Sequence, residues 1–302
     1  MSIESAAASS RLPSLRLSDR RWQKWLSAAI SFALLGAIAS QLHKFGFVRL
    51  GRGIPTAPAF WLALSAYYLA LPSSEWIIYR RLWDVPASGF AALLRKLVSN
   101  EVLLGYSGEV AFYGWARARL KLTSTPFGAI KDVSILSAFS GNIATLAMMV
   151  AAWPFLRRLH LPVSDGELLG SLAAILAISI AIGLMKRRIF SLPADDLHFI
   201  FLVHMSRLTT TTFLSMLIWR SAMPGVSMSA WVLLAALQLL VTRLPFVPNK
   251  DLVFAATTML LVGGDSRIGA MIALVAGLIL GTHLIVGTAL AASDLIETAE
   301  AA

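Results

Sequence analysis

Seven stretches of this chain are apolar over close to the length of a bilayer, and they dictate most of what it can fold into. A spanning helix needs about 20 mostly apolar residues. Runs of that kind cover 25–42, 59–79, 133–153, 168–185, 197–219, 230–246 and 268–291. Of the 302 residues, 57% are hydrophobic and only 14% charged, against about 25% charged in an average soluble domain. A soluble domain of this size cannot bury so much apolar surface, so the excess must face lipid. The expected fold is all-α: a polytopic integral membrane protein with about seven spanning helices and two short or broken segments. This composition excludes a soluble enzyme, a secreted disulfide scaffold and a disordered chain. There is no Cys, hence no disulfide, thiolate metal site or cysteine nucleophile.

The expected organisation is a basic, disordered cytoplasmic tail over 1–24, one transmembrane domain over 25–292 and a short acidic tail over 293–302. No cleavable signal peptide is apparent: the first apolar run starts at Trp25, behind Arg11, Arg16, Arg20, Arg21 and Lys24, and is read as a retained helix with its basic flank inside. Trp25, Trp61, Trp76, Trp153, Trp219 and Trp231 fall near ends of the proposed spans, where an indole can bury its ring and keep its N–H wet.

The two awkward segments are 97–113, which carries Asn100, Glu101, Gly105, Gly108 and Glu109, and 252–262, which is too short for an untilted span. If both are re-entrant, 19 of the 26 Lys and Arg face the cytoplasm and 6 face outside, with Arg207 inside a span. If only the first crossed fully, that bias would collapse. The positive-inside rule therefore favours re-entry, with a full crossing by both segments left open. The net charge of +10 is then mostly topological and needs no nucleic acid to explain it.

Three polar features stand out against the apolar background. Arg207 lies near the middle of 197–219, where a charge is costly unless it faces protein or water. At helical spacing His204, Arg207, Thr211 and Ser215 share one face. This stripe fits a pathway for an anionic group such as a lipid phosphate; the alternative is a structural ion pair of Arg207 with Glu101, Glu109 or Asp251. The second feature is Gly105-Tyr-Ser-Gly-Glu109 followed by Arg117, Arg119 and Lys121. Its glycines permit a broken helix, which at membrane depth is tolerated only inside protein or along a cavity. The third is Arg243-Leu-Pro-Phe-Val-Pro-Asn-Lys-Asp251. Pro245 and Pro248 end the preceding helix, and Asn249 or Asp251 can cap the next. A half-helix N-terminus there, with Lys250 beside it, suits phosphate; an ordinary interfacial loop is the alternative. Glu75 is expected to snorkel or to pair with Arg80, and His283 to be a satisfied core residue. The five His show no metal spacing. No Walker loop, dinucleotide fingerprint or nucleophile elbow occurs, so no cofactor and no catalytic residue is expected.

At these two polar stretches the chain resembles the transmembrane flippase-like domain of the lysylphosphatidylglycerol synthase family. The first carries a Gly-x-x-Gly-Glu, here Gly105 to Glu109, with Arg117 after it. The second carries Leu244-Pro245 and Pro248, with Asn249 and Lys250 where the family has glycines and Asp251 where it has a glutamate. The resemblance implies a divergent, stand-alone member that handles a lipid headgroup in the cytoplasmic membrane of a bacterium, multi-pass and with its N-terminus inside. It implies no synthesis of aminoacylated lipid by this chain alone.

The resulting expectation is a lipid or lipid-linked-intermediate transporter for an anionic headgroup, not an enzyme. Its substrate-binding residues are Arg207, His204, Thr211, Glu101, Glu109, Arg117, Arg243, Asn249, Lys250 and Asp251. A lipid-modifying membrane enzyme and a non-transporting assembly partner of a lipid or glycan biosynthesis complex are the alternatives. The expected partners are an anionic phospholipid or lipid-linked substrate and the membrane itself, with a second copy of the chain or a lipid-synthesis enzyme left open.

Overall fold

The computed structural model describes residues 54–120, 126–156, 165–244, 247, 249–262 and 267–300. Every regular element among them is helical: α1 (Pro58–Trp83), α2 (Gly89–Val102), α3 (Ser107–Arg119), α4 (Phe127–Leu156), α5 (Asp165–Leu184), α6 (Ala194–Ala222), α7 (Met228–Val241), α8 (Lys250–Val262) and α9 (Arg267–Glu300), with one further turn, Lys186–Ile189, between α5 and α6. The basic tail 1–24, the expected span 25–42, Pro245 and Pro248 lie outside the described residues. Helix α9 runs on to Glu300, through most of the expected acidic tail.

Two of these helices are long and apolar enough to cross a membrane: Phe127–Phe155 of α4 and Arg267–Ser293 of α9, with mean hydropathies of 1.7 and 2.2. Leu169–Leu184 of α5 and all of α7 are apolar but shorter. Helices α1 and α6 have the length, at 26 and 29 residues, but polar and charged side chains dilute their apolar character. Helices α2, α3, α7 and α8 have 13 or 14 residues each, which at 1.5 Å per residue is about 20 Å, short of the ~30 Å hydrocarbon core.

The sequence predicts an apolar helix over 230–246, but the structure ends α7 at Val241. The reason is local. Thr242 is the C-cap, its carbonyl accepts from Lys250 Nζ at 3.0 Å, and its hydroxyl accepts from Arg243. Two cations at the last carbonyls and hydroxyl satisfy groups that a further turn would otherwise have to bond.

Packing brings α1 against α6, α4 against both α6 and α7, α8 against α9, and α9 onto α2. Trp219 and Trp231 are 2% and 0% exposed. Their rings lie 6.0 Å apart, and Trp219 stacks on Phe254 at 5.7 Å. These two indoles are core residues, not the interfacial anchors their position near span ends predicts. A second aromatic cluster joins α1 to α3 through Tyr79, Trp83, Phe112 and Trp115. Asp132 of α4 is fully buried, and its Oδ2 accepts from the N–H groups of Ser191 and Leu192 at 2.6 and 2.8 Å. This bond anchors the start of α6 to α4 and so sets the height of Arg207 against the neighbouring helix.

Helix α1 begins with Pro58, whose missing N–H costs nothing in a first turn, and contains a buried proline, Pro72. That ring removes one helical hydrogen bond. Tyr68, Leu71 and Glu75, spaced along one face around it, all turn toward the same interior space.

Candidate functional site: a charged cavity between broken helices

The break that positions the site is built by Ser99, Asn100 and Gly108. Helix α2 stops at Val102 and α3 starts at Ser107. Between them Tyr106 takes a left-handed backbone, φ 73°, which a tyrosine adopts only when its surroundings hold it. Two bonds do so: Gly108 N–H donates to Asn100 Oδ1 at 2.7 Å, and Ser107 Oγ–H to the Ser99 carbonyl at 2.9 Å. A Cβ on Gly108 would collide with the Lys96 carbonyl. Only glycine lets the first turn of α3 fold back so closely on α2. Gly108→Ala is expected to lower stability by about 1–3 kcal/mol, because the clash is with backbone. Gly114→Ala, on the same helix with nothing within 4 Å of its added Cβ, is expected to be neutral or stabilising by about 0.5–1 kcal/mol. Thermal unfolding of the two variants in detergent checks the difference.

The close approach brings charges together. Lys96 is 3% exposed, and its Nζ contacts Glu75 Oε1 of α1 directly and Glu109 Oε1 of α3 at 3.4 Å. The predicted partner of Glu75 is therefore corrected: the carboxylate reaches inward to Lys96, while Arg80 lies over the Trp76 ring at 4.9 Å.

The second broken element is fixed in the same way. Asn249 has φ 51° and caps α8, its Oδ1 accepting from Leu252 N–H at 3.4 Å. The amide of Lys250 donates to Glu101 Oε2, also at 3.4 Å. The N-terminus of α8 is thus met by a carboxylate from α2, so the chain's own acid stands where the sequence predicts a phosphate. Asp251 Oδ1 accepts from Tyr67 Oη at 3.4 Å and Gln238 Nε2 at 3.5 Å.

Opposite these acids stand two arginines. Arg207, at the middle of α6, donates from Nη2 to Ser137 Oγ of α4 at 3.3 Å, and its buried Nε has no hydrogen-bond partner among the described residues. Arg243 donates from Nη1 to the Ala138 carbonyl at 3.2 Å and from Nη2 to Thr242 Oγ1 at 2.8 Å. Its guanidinium lies where a Cβ on Gly141 would have to be. Ser137 and Gly141 are one turn apart on the same face of α4, so the two guanidiniums sit side by side along it. Among the described residues neither forms an ion pair; the predicted alternative of a structural pair between Arg207 and Glu101, Glu109 or Asp251 is not what the geometry shows.

These groups line one cavity of about 350 Å³, within the range of small-ligand sites. Its wall holds Lys96, Arg207, Arg243 and Lys250 against Glu75, Glu101, Glu109 and Asp251. The formal charges balance, but they are separated in space. Lys96 is bracketed by two carboxylates, whereas the partners of Arg207 and Arg243 among the described residues are hydroxyls and a carbonyl. Tyr68 Oη and His283 Nδ1, 3.1 Å apart, close the α1–α9 side.

Of the residues expected to bind substrate, Arg207, Thr211, Glu101, Glu109, Arg243, Lys250 and Asp251 line this cavity. Three do not. His204 is fully buried behind the wall, because the stripe it shares with Arg207 is wider than the face open to the cavity. Arg117 is exposed in the last turn of α3, away from the break. Asn249 is spent on its cap. The sequence reading missed Lys96, Tyr67 and Gln238. Lys96 had a signal: with Ala92, Leu93, Leu97 and Asn100 it completes a helical stripe of otherwise apolar or amide residues, unlike an ordinary loop cation.

No family model, curated protein or solved structure matches this chain.

Proposed function

We propose that the chain is a polytopic protein of a bacterial cytoplasmic membrane, with its N-terminus inside, that carries the anionic headgroup of a lipid or lipid-linked intermediate through this cavity. The observation that carries the reading is the pair of guanidiniums, Arg207 and Arg243, side by side on α4 without a carboxylate between them. Two guanidiniums held along one face of a helix repel each other, the more so away from bulk water. An arrangement that costly is kept where an anion relieves it, and a forked pair of guanidiniums matches the oxygens of a phosphate.

Lipid as the source of that anion is supported by the outer surface. Leu62, Val110, Val150, Leu184, Leu260 and Ile285 are each more than 70% exposed, and α5 turns an almost wholly apolar set of side chains outward. Apolar surface on this scale fits acyl chains. Two long apolar helices and four half-length ones around a polar interior fit the architecture in which interrupted helices meet at a binding site near the membrane midplane. In this reading Lys96 and Arg243 leave the set of topological charges, and the remaining Lys and Arg keep the bias toward the cytoplasmic side. The resemblance to the lysylphosphatidylglycerol synthase flippase-like domain fits the same picture as a divergent, stand-alone form, with the broken Gly105–Glu109 stretch and the Arg243–Asp251 turn both at the cavity.

The test is lipid movement in proteoliposomes of phosphatidylcholine doped with fluorescent phosphatidylglycerol. The wild-type chain is expected to accelerate dithionite quenching of the inner-leaflet probe. Arg207→Ala is expected to abolish that acceleration, and Arg207→Lys to leave a small part of it, because an ammonium keeps the charge but not the fork. Wild-type rates in both variants, at equal reconstitution, would remove Arg207 from the mechanism.

A further inference from the structure

We infer that Tyr67, Gln238 and Asp251 form a second subsite of the cavity, one that binds hydroxyl groups, so that the headgroup it takes is a polyol or sugar joined to the phosphate. The lipid source of that headgroup rests on the reading above; the hydroxyl subsite stands on its own geometry.

Three helices converge on it. Gln238 Nε2 of α7 donates to Tyr67 Oη of α1 at 3.3 Å and to Asp251 Oδ1 of α8 at 3.5 Å, and Tyr67 Oη donates to the same Oδ1 at 3.4 Å. The three groups close a triangle. Both amide hydrogens and the phenolic hydrogen are spent inside it. What the triangle offers outward is acceptors: the second carboxylate oxygen of Asp251 and the amide carbonyl of Gln238. Behind it stand Ile218, Phe254 and Ile272, whose side chains have no hydrogen-bonding group. The open valences are therefore served from the cavity, which all three residues line.

This end of the cavity is connected to the arginines along two helices. On α6, Arg207, Thr211 and Ser215 follow one another at one-turn spacing, and all three line the cavity. On α7, Gln238 lies five residues before Arg243, roughly 7 Å along a helix axis at 1.5 Å per residue. That is the scale of a phosphate carrying one small polyol. A headgroup with its phosphate on the two guanidiniums thus reaches the triangle with its far end.

The chemistry at this end selects among far ends. A second phosphate is repelled by Asp251 and by Glu101, which lines the same space. An ammonium only donates, and it would enter a cavity whose wall already holds Lys96, Arg207, Arg243 and Lys250. Hydroxyls donate and accept. They can give their hydrogens to Asp251 and Gln238 while accepting from Ser215, or from the Tyr68–His283 pair, whose members are 3.1 Å apart. One carboxylate already held by neutral donors, set among neutral groups that work in both directions, suits a hydroxylated ligand better than a cation.

The test is binding to the purified full-length chain, read by native mass spectrometry, of phosphatidylglycerol against phosphatidylethanol. Both lipids carry one phosphodiester charge, and they differ by the glycerol hydroxyls. The wild type is expected to prefer phosphatidylglycerol by roughly 10- to 30-fold, the worth of a pair of neutral hydrogen bonds. Tyr67→Phe and Gln238→Leu are each expected to bring that ratio close to one, and Arg207→Lys to weaken both lipids while keeping the ratio. A wild-type ratio of one, or a ratio that survives both Tyr67→Phe and Gln238→Leu, overturns the hydroxyl subsite and leaves the phosphate reading standing. Tighter binding of phosphatidylethanolamine than of phosphatidylglycerol overturns it too, by showing that Asp251 takes an ammonium. A parallel arm compares glycerol 1-phosphate with ethyl phosphate. Preference for glycerol 1-phosphate, lost in the same two variants, with none of the lipids bound, upholds the hydroxyl subsite and sinks the lipid reading. Binding of neither the lipids nor the soluble phosphates overturns both.

Discussion

Replacing Lys96 by methionine is expected to destabilise the fold by about 3–5 kcal/mol, the cost of leaving buried charge without its partner. The side chain is only 4% exposed and sits between Glu75 and Glu109. Three helices, α1, α2 and α3, meet through that ammonium. Methionine nearly fills its volume but abandons two carboxylates, one of them 9% exposed. In detergent this should appear as a large fall in unfolding temperature or a collapse of the monodisperse peak. A triple variant, Lys96→Met with Glu75→Gln and Glu109→Gln, is expected to recover most of the loss, because removing an entire buried ionic cluster is close to neutral where removing one member is not. If the single variant is as stable as the wild type, Lys96 is not the tie between these helices and the position of α3 needs another cause.

The second large effect runs the opposite way for stability and for binding. Arg207→Met is expected to raise the unfolding temperature, since it relieves the repulsion with Arg243 and removes a buried cation whose hydrogen bonds are incomplete. The gain should be of order 1–3 kcal/mol. The same substitution is expected to weaken binding of an anionic lipid by roughly 10- to 100-fold, corresponding to about 1.5–3 kcal/mol for a hydrogen bond to a charged group. Binding is read by native mass spectrometry or by displacement of a fluorescent phosphatidylglycerol. Opposite signs for stability and affinity identify a site that holds strain for its ligand. A structural arginine would lose stability and leave affinity unchanged, so the pair of measurements separates the two roles. Arg243→Met should lose affinity in the same way, with a smaller gain in stability, because its guanidinium also bonds Thr242 and the Ala138 carbonyl.

How much of this was legible beforehand depends on which physical signal each residue carries. Helical content and the two breaks were legible, because apolar runs, Gly105, Gly108 and the turn at Arg243–Asp251 are local signals. Arg207 was legible because an apolar background makes a single charge conspicuous. The partners were not. That Glu101 meets the amide of Lys250, or that Arg243 lies over Gly141, depends on residues some 100 to 150 positions apart in the chain, and no periodicity reports such contacts. Lys96 was hidden by its neighbour. Arg95-Lys96 reads as a basic pair marking a cytoplasmic flank, yet the helix turns Lys96 inward. Trp219 and Trp231 failed for a related reason. Proximity to a span end predicts an interfacial ring, but the short α7 and α8 bring additional helix surface over that end and bury both indoles. The end of α7 at Val241 was set by Lys250 reaching back to the Thr242 carbonyl, again a contact formed only once the chain has turned.

The most direct test of the central claim is a structure of the full-length chain in nanodiscs of phosphatidylglycerol. The expected result is phosphate density within hydrogen-bonding distance of both the Arg207 and Arg243 guanidiniums, with acyl-chain density leading from the cavity to the apolar outer surface. A carboxylate of the chain itself, Glu101 or Asp251, found paired with Arg207 under the same conditions would contradict it.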